Sequence, residues 1–189
     1  MDALDALINR VSVPRLCEPA PDAAQRERLF RAALRAPDHG QLRPWRFLTV
    51  EGDDRVALGE LFASALAARS GDASVEALTK ARGMPLRAPL LVVVIARLQA
   101  HPKVPRQEQL IAAGCAAHAM LIAAHAQGIG AVWRTGELSY DAQVNQGLGL
   151  TADEQVVGYL YLGSPEREPR TPTPLAVEDF VSAWSPARG

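Results

Sequence analysis

Hydrophobic and polar positions along the chain follow two periods, and these divide the chain into alternating helices and strands. Apolar residues at helical spacing predict helices at 3–9, 22–34, 53–69, within 70–83, at 107–127 and at 141–148. Short apolar or alternating runs bounded by Gly and Pro predict strands at 45–51, 90–97, 130–135 and 155–163. This order of elements predicts an α+β sandwich, in which helices flank a sheet, and it leaves the direction of the strands open.

Two of these segments are apolar enough to form the centre of the protein. The run Leu90 to Ala96 is entirely apolar and rich in Val and Ile, which predicts a strand buried on both faces. The segment Gln107 to Gln127 would form about 30 Å of helix, and most of its residues are small. Because Gln109, His118 and His125 interrupt it, we interpret it as a buried core helix or a dimer interface, and not as a membrane span.

Composition narrows the classes of partner. The chain has 189 residues, 48% hydrophobic and 22% charged, with a net charge of −1, so it offers no strong field for nucleic acid or for an anionic membrane. Its two cysteines form neither a disulfide framework nor a zinc site. His118 and His125 stand seven apart without a carboxylate, so no metal site is predicted. The acidic N-terminus does not resemble a signal peptide, and a cytoplasmic location is expected.

The C-terminal part of the chain changes character. From about residue 165, four prolines lie among charged residues, and the apolar residues Phe180, Val181 and Trp184 follow. Proline at this density excludes a long helix. We therefore expect one domain over 1–189 with an extended arm at about 165–189, and this arm needs a surface, of its own domain or of a partner, on which to bury its apolar residues.

The loop between the second helix and the first long strand carries a concentration of hydrogen-bond donors. Pro37 should end the helix, because the residue before a proline is pushed away from helical geometry. Within a few residues stand Arg35, His39, Gln41 and Arg43. So many donors on a short loop indicate a binding loop for an anionic or acceptor-rich partner, unless water alone satisfies them.

Two other stretches are candidates for a binding site. Arg10 and Ser12 follow the first helix and suit a phosphate group, although a helix-end cation and a turn residue would give the same pattern. The stretch Gly128 to Gly136 contains Gly-x-Gly followed by Trp133 and Arg134. It leaves a helix and enters a strand, which is the reverse of the dinucleotide-binding order, so a Rossmann site is excluded.

The loop at 36–47 resembles the helix-to-strand loop of the nitroreductase family of flavin enzymes, typically Pro-Ser-x-x-Asn-x-Gln-Pro-Trp-x-Phe. Pro37, Pro44, Trp45 and Phe47 match that pattern. The polar positions differ, since the sequence has Asp38 for Ser, Gln41 for Asn and Arg43 for Gln. The opening Met-Asp-Ala-Leu-x-x-Leu-Ile-Asn-Arg and the later Gly-x-Gly-x-x-Trp-Arg-x-Gly extend the similarity, to a compact subgroup of the family, over nearly the whole chain.

The resemblance implies a fold and a set of cofactor-binding residues. The implied fold is the nitroreductase-like α+β fold with a mixed, mainly antiparallel sheet, and the implied assembly is a homodimer. FMN would be held at its phosphate by Arg10, Ser12 and the backbone of Val11. Ala131, Val132 and Trp133 would lie along the flavin, with Arg134 reaching the phosphate side. The remaining implied flavin neighbours are Arg35, His39 and Gln41.

The resemblance also implies an activity. It predicts an FMN-dependent oxidoreductase that takes hydride from NAD(P)H and passes electrons to nitroaromatic or quinone-like acceptors in ping-pong turnover. No side chain of the protein needs to act as the catalytic acid or base, because the flavin carries the chemistry. An alternative is a flavin-binding sensor or cofactor carrier without significant turnover, which the altered polar positions of the loop leave open.

Overall fold

The computed structural model describes residues 1–186, so the last three residues of the expected arm, 187–189, lie outside the described residues. Six helices and five strands organise the described part of the chain. The helices are α1 (Ala3–Asn9), α2 (Ala23–Ala33), α3 (Asp54–Arg69), α4 (Val75–Gly83), α5 (Arg106–Ala126) and α6 (Ala142–Gly147). The strands are β1 (Leu16–Cys17), β2 (Trp45–Glu51), β3 (Leu90–Arg97), β4 (Gly130–Arg134) and β5 (Glu154–Pro165). Every predicted helix and strand is present, and only the two-residue β1 was not predicted.

Side chains in the sequence fix where several helices begin. Asp22 accepts a hydrogen bond from the Gln25 backbone N–H at 2.7 Å, and the Gln25 side chain accepts one from the Asp22 backbone N–H, which together form a capping box at the start of α2. Asp2 and Asp141 cap α1 and α6 with their carboxylates alone, which accept from backbone N–H groups of the first turn. These caps satisfy backbone donors that the first turn of a helix leaves unpaired.

The sheet is built around β5, which pairs with β1, β3 and β4, while β2 pairs with the far edge of β3. All these pairings are antiparallel, so the expectation of a mainly antiparallel sheet is confirmed. No parallel pairing is found among residues 1–186: β3 and β4 run in the same direction, but each pairs with β5 and not with the other.

Each face of the sheet has its own core. Every residue from Leu90 to Ala96 is 0% exposed, as expected for a strand covered on both sides. Alternate residues such as Val92 and Val94 pack with α2 and α5, and Val93 and Ile95 pack with α3 and α4 on the other face. The helix α5 is the one helix in this part of the chain that is long and apolar enough to cross a bilayer. Its packing against the sheet accounts for that composition.

A bidentate ion pair joins the two strands on either side of β3. Arg46 of β2 donates from Nε and Nη2 to the carboxylate of Glu154 at 2.6 and 2.8 Å, and Arg97 lies 3.7 Å from the same carboxylate. The hydrogen bonds from Arg46 lower the pKa of Glu154 below its usual value. Since the Glu154 side chain is only 9% exposed, this pair is screened less than the surface pairs.

Two regions keep apolar side chains in solvent. On α1, Leu4 and Ile8 are 67% and 70% exposed. In the arm, Phe180 and Trp184 are 72% and 87% exposed, and only one short helical turn, Val177–Asp179, interrupts the extended backbone. The arm therefore does not bury its apolar residues on its own chain.

Candidate cofactor site

The segment after α1 lies against the edge of β4. The backbone N–H of Val13 donates to the carbonyl of Ala131 at 2.9 Å, and this bond brings two distant parts of the sequence side by side. Arg10 is the residue at which α1 ends and is partly buried, Val11 is buried, and Ser12 is exposed. The structure thus places the first predicted phosphate-binding residues beside the predicted flavin strand.

Arg10 borders a small pocket at the C-terminal end of α5. The pocket is lined by Arg10 and Ala131 together with His125 and Pro169. Within residues 1–186, the Arg10 guanidinium has no carboxylate or hydrogen-bond partner, and neither has the buried Nε2 of His125. An unpaired cation beside an apolar strand is suited to an anion.

Ser12 lines a larger neighbouring cavity of about 410 Å³. Three arginines share it, Arg15 from the same segment and Arg167 and Arg170 from the arm, and Glu168 is the single acid among the lining residues. Because Val13 and Pro169 border both this cavity and the Arg10 pocket, the two form one cationic groove. We refer to it as the N-terminal groove.

The loop after α2 holds its own shape through a short hydrogen bond and two unusual backbone conformations. The carboxylate of Asp38 accepts from the backbone N–H of Arg43 at 2.6 Å. Gln41 and Arg43 have φ of 54° and 49°, in the left-handed region that residues other than Gly rarely adopt. Such conformations cluster at binding sites. Asp38, which departs from the family pattern, therefore has a local structural role.

His39 has a partner within the chain, and Arg35 has none. His39 Nδ1 lies 2.7 Å from a carboxylate oxygen of Glu108, in the first turn of α5, so Nε2 is the ring nitrogen left for another contact. Arg35 and Gln41 are exposed and border one open cavity at the surface. The guanidinium of Arg35 makes no ion pair with any described residue.

The N-terminal groove and this loop lie near opposite ends of α5. His125 borders the groove and Glu108 contacts the loop, and the helix between them is about 25 Å long at the usual rise. One flavin mononucleotide does not reach across that distance. Within a single chain, the structure therefore does not bring Arg35, His39 and Gln41 together with Arg10 and Ser12.

The four predicted residues of β4 divide between the two faces of the sheet. Ala131 and Trp133 face α5, and the Trp133 indole N–H lies against Gly158, where no Cβ would fit. Val132 and Arg134 face α3 and α4, and the Arg134 guanidinium carbon lies 5.6 Å from the centre of the Tyr161 ring. Within the single chain, Arg134 lines a different cavity from those that Arg10 and Ser12 line.

Arg167 and Arg170 line the groove but were not predicted from the sequence, because a charged proline-rich tail gives no indication of where it folds back. Lys80, which lines a cavity with Arg134, was not predicted either. A helix of ordinary amphipathic character such as α4 does not reveal from its pattern which polar residue faces a cavity.

The fold is an α+β fold with a groove lined by arginines beside an edge strand, and comparison with known proteins specifies the class of protein. Residues 9–164 match the model of the Nitroreductase family, and the chain belongs to that family.

Its relatives agree with this assignment. The chain is 44% identical over 182 residues to the "Putative NAD(P)H nitroreductase YdjA" of Escherichia coli (strain K12), which covers 93% of this chain and 98% of that protein. The nitroreductase-like family protein of Bacillus cereus superposes with a TM-score of 0.80 at 22% identity and covers 97% of this chain and 96% of its own. A variant of the FMN and NADPH-dependent nitroreductase NfnB of Sphigopyxis sp. strain HMH superposes with a TM-score of 0.76 at 20% identity, with coverages of 97% and 99%.

Proposed function

We propose that the protein is an FMN-dependent oxidoreductase that uses NAD(P)H to reduce nitroaromatic or quinone-like acceptors. The observation that carries this proposal is the hydrogen bond from Val13 to Ala131, which places a cationic groove directly beside the strand predicted to contact the flavin. The dependence of the NfnB enzyme on FMN and NADPH supports the same cofactor and reductant.

The phosphate of FMN is assigned to the N-terminal groove. Arg10 supplies an unpaired guanidinium, Ser12 a hydroxyl donor and Val11 a backbone amide beside them. Arg167 and Arg170 are added to the predicted set because they line the same groove. A dianion surrounded by guanidinium groups gains charge-assisted hydrogen bonds, which are stronger than neutral ones.

The site is assigned to two copies of the chain. Arg35, His39 and Gln41 lie about 25 Å from the N-terminal groove along α5, so they contribute to the same flavin only from a second copy. The exposed apolar residues of α1 and of the arm offer a surface for that copy, which supports the homodimer expected from the sequence. A dimer with twofold symmetry would form two equivalent sites.

The strand β4 is assigned to the flavin ring. Ala131, Val132 and Trp133 would border it, and Arg134 would approach its pyrimidine edge instead of the phosphate. Bound FMN supplies the transfer of hydride from the nicotinamide and of electrons to the acceptor. The chain holds the cofactor, places cationic groups near the edge where reduced flavin carries negative charge, and excludes water from one face. Because the flavin carries the chemistry, no side chain of the chain is required as a catalytic acid.

Both substrates are proposed to use one open face of the flavin in turn, so turnover is ping-pong. We also infer that residues 1–189 form a single domain whose arm serves the dimer, and that the enzyme acts in the cytoplasm. The sensor or cofactor-carrier alternative is retained because Asp38, Gln41 and Arg43 replace the usual polar residues of the loop.

Rapid mixing tests the function directly. Anaerobic NADPH or NADH should bleach the flavin absorbance of the purified protein within seconds, and a nitroaromatic acceptor should restore it. Initial velocities should give parallel double-reciprocal lines as the acceptor is varied. Flavin that stays oxidised in the presence of both nicotinamides would favour the carrier, and a preparation that binds no FMN would remove the basis of the proposal.

A further inference from the structure

The side of α5 that faces away from the sheet is open to solvent and largely apolar. Ile111 is 58% exposed, and Cys115 and Ile122 are partly exposed. His118 is the exposed polar residue among them. These four residues follow one another at intervals of three or four, so they lie on one face of the helix. An apolar face on the longest helix of the fold indicates a surface that another molecule covers.

Small residues beside this face allow a close neighbour. Gly114 and Ala119 are both partly exposed. A Cβ added at Gly114 would meet only the Trp133 ring, at an ordinary contact distance of 3.8 Å, so packing within the chain does not require glycine there. Small side chains let a second helix approach at the short end of the usual interaxial distance of about 8–10 Å. The face is therefore suited to a helix.

The positions of the two flavin half-sites identify that helix. His125 borders the N-terminal groove near one end of α5, and Glu108 contacts the loop after α2 near the other end. In a dimer with twofold symmetry, antiparallel packing of α5 on α5 places the groove of each chain beside the loop of the other. Parallel packing would bring like halves together and complete no site. The occupant of the face is therefore α5 of a second copy.

The same half-sites also set the register of the two helices. If Glu108 of each chain lies beside His125 of the other, the twofold axis crosses α5 halfway between them, which is between residues 116 and 117. Residues equally far from this point on its two sides then face each other. Ile111 faces Ile122 of the second copy, and Cys115 faces His118 of the second copy.

The sequence of the face fits this register, although it was not used to derive it. The two exposed isoleucines meet, which buries apolar against apolar on both sides of the axis. Gly114 faces Ala119 of the second copy, so the two smallest residues meet close to the axis, where the helices must approach most closely. A shift of one residue would separate both pairs.

We propose that α5 packs antiparallel against α5 of a second copy, at a shallow crossing angle of about 20°, with the twofold axis between residues 116 and 117. The exposed residues Leu4 and Ile8 extend this interface, because α1 packs against α5 and Arg10 at its end lines a pocket with Leu121. The register rests on the proposed function, since the divided flavin site sets it, whereas the exposed face does not.

Disulfide trapping tests the register. Ile111→Cys and Ile122→Cys are combined in a background of Cys17→Ser and Cys115→Ser, and mild oxidation should link the chains into a covalent dimer on non-reducing electrophoresis. Facing residues come within the Cα separation of about 4.4–6.8 Å that a disulfide needs. The matched controls are the two single cysteine variants. Their like residues lie about 16 Å apart along the helices, so linkage should be at least about tenfold slower.

Thiol reactivity gives a second measurement that leaves α5 unchanged. In the dimer Cys115 is covered by the second copy, so Leu4→Glu combined with Ile8→Glu, which separates the copies, should speed its alkylation at least about tenfold. Cys17 is exposed and distant in sequence from the face, and it serves as the internal control with an unchanged rate.

Three results would overturn the proposal. They are a dimer in sedimentation whose double cysteine variant does not link, single variants that link as fast as the double variant, or alkylation of Cys115 at the same rate in dimer and monomer. Thermal melts of the reduced variants confirm their fold. A linked dimer whose flavin is not reduced by NADPH or NADH would defeat the proposed function alone, and reducible flavin in chains that do not link would defeat this inference alone.

Discussion

The two ends of α5 carry the two halves of the candidate flavin site, and they differ in how their cations are held. At the C-terminal end, Arg10 and the arginines of the arm face a groove without forming ion pairs to any residue among 1–186. At the N-terminal end, His39 is tied to Glu108, and Asp38 fixes the loop. The first half is a charged surface suited to an anion, and the second is a loop of fixed shape in which Arg35 and Arg43 form no ion pair with any described residue.

This difference is what the proposal of a flavin site divided between two copies of the chain rests on. The halves are separated by about 25 Å of helix, and in the proposed dimer the second chain brings one half to the other. Apolar exposure supports the same inference, since α1 lies next to the charged half and carries Leu4 and Ile8 in solvent.

The largest expected effect comes from breaking the contact between copies. Leu4→Glu combined with Ile8→Glu should weaken self-association by about 100-fold or more, because unpaired carboxylates are costly to bury. FMN should be lost together with the dimer. Sedimentation velocity, followed at both protein and flavin absorbance, measures the two losses.

The matched control for that experiment is Val75→Glu, which adds a charge at a residue that is 79% exposed on α4. It should leave both the dimer and the flavin content unchanged. A double variant that sediments as a monomer and still carries flavin would show that one chain completes the site alone.

The next effect comes from removing one cation from each half. Arg10→Ala and Arg35→Ala should each weaken FMN binding by about 1.5–3 kcal/mol, the usual contribution of a charged hydrogen bond. When equal amounts of the two variants are unfolded and refolded together, roughly a quarter of all sites should regain wild-type affinity. The reason is that a mixed dimer of twofold symmetry has one site with both arginines and one with neither.

Flavin titration of the refolded mixture measures this recovery, and each variant refolded alone is the control. A mixture that binds FMN no better than the separate variants would mean that Arg10 and Arg35 act on the same site from the same chain, or that one of them has no part in binding.

A smaller effect is expected at Glu154, whose ion pair with Arg46 stabilises the fold and lies outside the candidate site. Glu154→Gln should lower the free energy of unfolding by about 1–3 kcal/mol at neutral pH, because it breaks the bidentate pair with Arg46. The pKa of Glu154 is lowered in the folded state, so this stabilisation is complete above the unfolded value of about 4.3 and is lost as the pH falls through the folded value.

Urea unfolding at pH 7 and pH 3 checks the size and the sign. The difference between wild type and variant should shrink at the lower pH. Glu60→Gln is the control, since its pair with Arg82 is half-exposed and should contribute less than about 1 kcal/mol. A difference that grows on acidification would contradict the assigned role of the pair.

Local pattern was sufficient to predict most of the fold. The apolar run of β3 predicts a buried strand without any knowledge of which strands it pairs with. Asp22 and Pro37 mark the start and the end of α2, because a cap and a proline act on residues close to them in the sequence. Strand pairing was not predictable in the same way, because the antiparallel register of β5 with three neighbours depends on contacts between residues far apart in the sequence.

The sequence supplied candidate residues for the site but not their arrangement in space. Arg10, Ser12 and Arg35 were predicted from sequence as site residues, but their positions near opposite ends of α5 depend on helix packing. The face of β4 on which Arg134 lies was not predictable either, because side chains alternate along a strand and the sequence does not say which face Ala131 takes. The tail arginines, Arg167 and Arg170, carried no local signal at all.

The smallest expected effect comes from removing the contact between His39 of the loop after α2 and Glu108 of α5. Glu108→Gln weakens the contact to His39 Nδ1, and as a half-exposed pair in the first turn of a helix it should lower the free energy of unfolding by less than about 1 kcal/mol. If Glu108 orients His39 so that Nε2 faces the flavin of the other copy, the affinity for FMN should still fall by about twofold to fivefold. The control is Glu27→Gln, which breaks a surface pair with Arg31 on α2 and should leave FMN affinity unchanged. Fluorescence titration with FMN distinguishes a role of Glu108 in FMN binding from a purely structural role. If the role is purely structural, Glu108→Gln and Glu27→Gln should have the same affinity for FMN. Equal affinities would therefore mean that His39 has no part in FMN binding, and that the loop contributes to the site only through Arg35 and Gln41.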